Sequence, residues 1–175
     1  MYSPSDDSFL LSETLEDYLK GKNKKISILD IGTGSGIQAE TCKKLGFNNI
    51  TVADIDETCL RHLKNEFKTI QTDLFSNIKQ RFNLIIFNPP YLPQHKYDKR
   101  KDTTGGKKSY ETIFKFLEQA KIHLLKNGSI LLLFSSLSSP EKIKKKAAEL
   151  GYEFQLIAKK NLFFEQLFVY LLEYN

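Results

Sequence analysis

Two hydrophobic patterns alternate along the chain. Short aliphatic runs, ISILDI, NITVAD, KTIQTD, RFNLIIF and SILLLFSS, are separated by longer segments whose apolar residues recur at helical spacing. The runs predict buried strands and the spaced segments predict amphipathic helices. Residues 3–19 open with helix-capping residues, and Phe9, Leu10, Leu15 and Leu19 share one helical face. Further helices are predicted over 37–45, closed by Gly46, over 57–67, over 109–125, and over 139–150, where Ser-Pro-Glu starts the helix and Gly151 stops it. The tail reads as two strands, 152–160 and 162–174, with Lys159-Lys160-Asn161 as the turn between them.

Strands alternating with helices imply right-handed crossovers and a parallel sheet. The expected fold is therefore α/β: a Rossmann-like seven-stranded, mostly parallel sheet with helices on both faces and a C-terminal antiparallel hairpin. One domain is expected over 1–175, with a helical segment, 1–25, packed on the core. In such sheets ligands bind beyond the C-terminal strand ends, near the switch point. GTGSG (32–36), Asp54, Asp73 and Asn88-Pro89-Pro90-Tyr91 all follow predicted strands, so they should converge on one crevice.

Composition narrows the picture a little. With 26 basic and 21 acidic residues the net charge is +5, a mild bias toward acidic or nucleic-acid-bound partners. Cys42 and Cys59 lie in predicted helices without metal-ligand spacing, and three scattered histidines offer no metal site. The apolar runs are far too short to span a bilayer and no signal peptide is evident, so a cytoplasmic protein is expected.

The crevice residues carry the chemistry. Gly32, Gly34 and Gly36 fall one residue short of the dinucleotide fingerprint, and the loop lacks the Lys-Ser/Thr of a Walker motif or any cation to face a phosphate. Asp54, at a strand tip about twenty residues past the loop, can accept both hydroxyls of a ribose. Asp56 suits a helix cap better. Asp73 can meet an exocyclic amine, Leu74 can pack on a base, and Asp30 can face a cationic amine. Several carboxylates and no phosphate anchor suit a cationic nucleoside, and S-adenosylmethionine fits that description.

DIGTGSG, VADID, QTDLF and NPPY, in this order, resemble a class I S-adenosylmethionine-dependent methyltransferase. YSPSDDSFLL, LIIFNPPYLP and the later GGKKSYE are similar to the HemK-type protein-glutamine N5-methyltransferases, in particular their short archaeal and eukaryotic branch. The family pattern usually has glycine where this chain has Ser109. The resemblance implies that Ser8, Asp30, Gly32, Gly34, Asp54, Asp73, Leu74 and Asn88 bind the cofactor. It also implies that Asn88, Pro89, Pro90 and Tyr91 hold the target, and that no metal takes part. The implied substrate is the glutamine of the Gly-Gly-Gln motif of a translation release factor. A small zinc-binding activator protein docked along a sheet edge is the implied partner.

NPPY suits a planar nitrogen. A carboxamide nitrogen is a weak nucleophile, so the enzyme must position it, with the Asn88 oxygen and the Pro89 carbonyl each accepting one N–H. Tyr91 can stack on the amide plane. No general base is needed, because the methylated nitrogen loses a proton readily. Adenine N6 in RNA or DNA presents the same planar NH2, and the short branch is also associated with lysine methylation; both remain alternatives. A binding protein that keeps the cofactor only for stability would have no need of NPPY. The basic segment 94–108 either meets an acidic substrate surface or is simply solvated.

Overall fold

The computed structural model describes residues 4–90 and 110–174. Among the described residues there are five α-helices: α1 (Asp6–Leu19), α2 (Ile37–Lys44), α3 (Glu57–Arg61), α4 (Glu111–Ala120) and α5 (Pro140–Glu149). They surround strands β1 (Ile28–Ile31), β2 (Ile50–Asp54), β3 (Lys68–Gln71), β4 (Phe82–Phe87), β5 (Leu124–Ser135), β6 (Glu153–Asn161) and β7 (Gln166–Glu173). The sheet order is β3-β2-β1-β4-β5-β7-β6. Strands β1 to β5 run parallel, while β7 is antiparallel to both of its neighbours. The expected seven-stranded Rossmann-like architecture with its C-terminal hairpin is thus observed.

Period-two alternation splits the core into two layers. Ile85, Phe87, Ile130, Leu132 and Phe134 face α4 and α5. Leu84, Ile86, Leu131 and Leu133 face the side covered by α1 and α2. Both layers are mainly aliphatic and aromatic, because strands buried on two faces have no solvent side for polar residues.

Four local expectations are corrected. Lys159, Lys160 and Asn161 do not form a turn: they continue β6, paired with Phe168, Leu167 and Gln166. The chain reverses instead through Leu162–Glu165, closed by the Leu162 N–H donating to the Glu165 carbonyl at 2.8 Å. Burial of Leu167 and Val169 fixes the β7 register, and β6 follows it. The predicted helix 57–67 stops at Arg61 and continues in tight turns that keep Leu63 and Phe67 in the core. The helix predicted over 109–125 ends at Ala120, and β5 begins at Leu124 after a 3-10 turn. In α1 the buried face carries Leu10, Leu11, Leu15 and Leu19, while Phe9 is half exposed.

Phe116 on α4 stacks against Phe87, the last residue of β4, with ring centroids 4.3 Å apart, and it also touches Phe75. It is fully buried. Phe116→Ala is expected to destabilise the fold by about 3–5 kcal/mol, read from the urea midpoint. A loss well under ~1 kcal/mol would mean that the layer collapses around the gap.

Candidate active site

Two loops meet where the strand order reverses. The chain leaves β1 toward β2 and β3, then returns to place β4 on the other side of β1. The register pairs Ile31 with both Ala53 and Phe87, so the ends of β1, β2 and β4 lie level. The glycine loop follows β1 and Asn88-Pro89-Pro90 follows β4, at the switch point of the sheet.

The glycine loop turns through left-handed backbone at Gly32, Gly34 and Gly36. At Gly36, φ is +85° and an added Cβ would lie 2.5 Å from a Leu63 methyl, so glycine is required twice over. Asp54 spans the loop. Its Oδ2 accepts the Gly34 N–H at 2.9 Å and its Oδ1 accepts the Asp56 N–H at 2.9 Å. Asp56 instead caps α3, accepting the Thr58 N–H at 2.8 Å, and is exposed. The geometry therefore separates the two acids: Asp54 touches the loop and Asp56 serves the helix.

Asp30 is 2% exposed and accepts a 2.6 Å hydrogen bond from the Thr33 hydroxyl. Burial pushes its carboxyl up from the ordinary 3.8 to about 7; the Thr33 bond opposes this and the Asp54 charge adds to it. Beyond β3, Asp73 is exposed and Leu74, at φ +47°, packs partly against the α4 layer. Ile55 follows Asp54 and is 65% exposed, an apolar surface at the crevice rim that the sequence pattern did not mark.

At the end of β4, Pro89 is buried, Asn88 and Pro90 are half-buried, and the Asn88 Oδ1 atom is buried without a hydrogen-bond partner among the described residues. The Asn88 Nδ2 donates to Asp7 Oδ2 at 3.1 Å. Asp7, from the first turn of α1, is 3% exposed, and sequence reasoning missed it; Ser8 beside it is equally buried. Gln38 of α2 ties this turn down by donating to the Ser8 carbonyl at 2.9 Å. Tyr91, Ser109 and the basic segment 94–108 lie outside the described residues.

Ser138 Oγ is a second buried polar atom without a hydrogen-bond partner among the described residues. His123 stacks on Phe75 and hydrogen-bonds the Gln80 carbonyl, and burial pushes the Cys42 thiol up to about 12. Among the described residues no helix is long and apolar enough to cross a membrane.

The family model "Methyltransferase small domain" matches residues 6–163. The chain belongs to the methyltransferase small domain family. It is 32% identical to a Methanocaldococcus jannaschii protein carrying the provisional name protein N5-glutamine methyltransferase, over 97% of this chain and 89% of that protein. Its fold matches the E. cuniculi Mtq2-Trm112 complex, described as methylating the termination factor eRF1, with a TM-score of 0.81 at 23% identity over 99% and 98% of the two chains. It also matches a T. thermophilus 16S ribosomal RNA guanosine N2 methyltransferase solved with AdoMet and guanosine, with a TM-score of 0.71 at 19% identity, covering 99% of this chain and 44% of that one. Methyltransferase small domain proteins use S-adenosylmethionine, and the crevice fits it: an open left-handed glycine turn, two carboxylates at strand tips, and a buried acceptor, Asn88 Oδ1, unpaired among the described residues.

The Asp30 proton has a consequence for stability. The folded protein keeps a proton that the unfolded chain releases near 3.8. The Asp30 contribution to stability is therefore full below that pH, declines as pH rises toward about 7, and is constant beyond. Asp30→Asn is expected to remove this decline, followed as the urea midpoint from about pH 4 to pH 8. An unchanged slope in the variant would assign the titration to another group.

Proposed function

We propose that this chain is an S-adenosylmethionine-dependent methyltransferase that modifies the side-chain nitrogen of a glutamine, the one in the Gly-Gly-Gln motif of a translation release factor. One observation carries the reading: a buried carboxamide oxygen, Asn88 Oδ1, left without a donor among the described residues at the switch point of the sheet. A planar NH2 group supplies the missing donor. The similarity to a protein named as a glutamine methyltransferase over nearly its whole length, and to the fold of one described as methylating a termination factor, supports glutamine as its bearer.

When bound, S-adenosylmethionine supplies a methyl group activated by a sulfonium. In the proposal Gly32 and Gly34 let the backbone approach this cofactor, Asp54 receives the ribose hydroxyls, and Asp73 the exocyclic amine. Leu74 and Ile55 flank the base. Asp30 faces the ammonium group, Ser8 borders the same pocket, and Asn88 closes it. On the acceptor side, Asn88 Oδ1 takes one N–H of the target amide and the Pro89 carbonyl takes the other. Pro90 and Pro89 hold that carbonyl in a fixed direction, and Tyr91 stacks on the amide plane. These acceptors stabilise the positive charge that grows on the nitrogen as it leaves planarity. Water then removes the surplus proton, so no general base is assigned.

The whole reaction is placed on one domain, 1–175, in the cytoplasm, where termination occurs. A small zinc-binding activator is the proposed partner, as Trm112 accompanies Mtq2. The edge strands β3 and β6 each pair on one side only among the described residues, which gives such a partner a strand to dock on.

The test offers a Gly-Gly-Gln release factor, bulk RNA, duplex DNA and a lysine-rich histone tail to the protein with labelled S-adenosylmethionine, with and without the activator. Label is expected on the release-factor glutamine. Asn88→Ala should lower that transfer about 100- to 1000-fold while the cofactor still binds. Label confined to nucleic acid or lysine would contradict the glutamine reading.

A further inference from the structure

Asp7 is 3% exposed and belongs to a hydrogen-bond network that reaches the target-binding amide. Its Oδ1 accepts from the Ser5 hydroxyl at 2.7 Å, from the Ser8 N–H at 2.7 Å and from the Ser8 hydroxyl at 3.3 Å. Its Oδ2 faces Asn88 Nδ2 at 3.1 Å. We propose that Asp7 is a positioning residue for methyl transfer, holding the Asn88 carboxamide so that its oxygen rather than its NH2 faces the methyl-accepting nitrogen. This rests on the reading above that the acceptor is a planar NH2 group.

Donors and acceptors decide the orientation. A carboxylate only accepts, so the group it meets on Asn88 must be the NH2 end. The oxygen end then points the other way, and it is the buried atom that finds no partner among the described residues. A free asparagine at this position could rotate by half a turn and satisfy itself differently. Asp7 removes that freedom before substrate arrives, which is how preorganised acceptors keep their advantage. The hydrogen bond to a carboxylate also polarises the amide and makes its oxygen a better acceptor. Gln38, which donates to the Ser8 carbonyl and accepts from Ser12, fixes the first turn of α1 against α2 and so fixes Asp7 itself.

A purely structural role makes a different prediction. An acid in the first turn of a helix stabilises it, and asparagine would keep most of the local bonding. In the positioning role asparagine is a poor replacement. The Ser8 N–H can only donate, so the amide substituted for the Asp7 carboxylate must turn its oxygen there. Its NH2 is then presented to Asn88, which must rotate to meet it. The near-isosteric change inverts the lock.

The experiment compares wild type, Asp7→Asn and Asp7→Ala on whichever acceptor the wild type methylates. Asp7→Asn is expected to lose about 100-fold in kcat, with KM, cofactor affinity and melting temperature little changed, and to be no better than Asp7→Ala. A kcat near wild type in Asp7→Asn would overturn the proposal. A second readout needs no acceptor: in 15N-labelled protein the Asn88 side-chain NH2 resonances, assigned by their loss in Asn88→Ala, should shift markedly in Asp7→Asn. Unmoved resonances would also overturn it. If the wild type labels adenine instead, the glutamine reading fails, while the comparison of Asp7 variants still decides the role of this residue; label on lysine, which has no planar NH2, would overturn both.

Discussion

Proline carries no backbone N–H, so the central parallel ladder cannot pass Asn88. Strand β4 is paired with β1 and β5 up to Phe87, and the next three residues leave the sheet at the place where the strand order reverses. That termination sets the site. It holds the Asn88 carboxamide above the last rung, level with the glycine loop that follows β1. The stack of Phe87 on Phe116 and the buried Pro89 anchor the stop from below. A longer β4 would bury the amide in the ladder, and a looser one would leave its direction undefined.

Around this stop the crevice gathers buried polar groups that a stable core would avoid. Burial raises the Asp30 carboxyl to about 7, Asp7 is engaged with its neighbours, and Asn88 Oδ1 accepts no hydrogen bond from the described residues. Each is costly alone, because an uncompensated buried polar atom loses its water without replacement. In the proposed reading the partners these groups lack are a cation and an N–H donor. Transfer from a sulfonium cofactor to a planar NH2 supplies both.

Much of this could be read before the fold was known. The aliphatic runs marked β1, β2, β4 and the C-terminal part of β5, since strands buried on both faces leave continuous apolar segments. The ordered positions of the glycines, Asp54 and Asn88-Pro89-Pro90 placed the crevice, because in a doubly wound sheet everything after a parallel strand lies on one edge. The misses share a cause. The Leu162–Glu165 turn is rich in apolar residues while Lys159 to Asn161 look like a turn, so local chemistry pointed the wrong way and the β5–β7 register decided. Asp7 could not be distinguished from Asp6 by spacing: one is buried against Asn88, 81 positions away, and the other pairs with Lys160 at the surface. Pairings over such distances are properties of the folded chain.

The central claim is that Asn88 Oδ1 waits for one N–H of the acceptor. The most direct measurement is a crystal structure of the protein with S-adenosylhomocysteine and a Gly-Gly-Gln peptide. The account predicts the glutamine side-chain nitrogen within hydrogen-bond distance, about 2.7–3.2 Å, of both Asn88 Oδ1 and the Pro89 carbonyl, with Asn88 Nδ2 still on Asp7. A bound peptide whose glutamine lies elsewhere, or an Asn88 oxygen satisfied by a donor from its own chain, would contradict it.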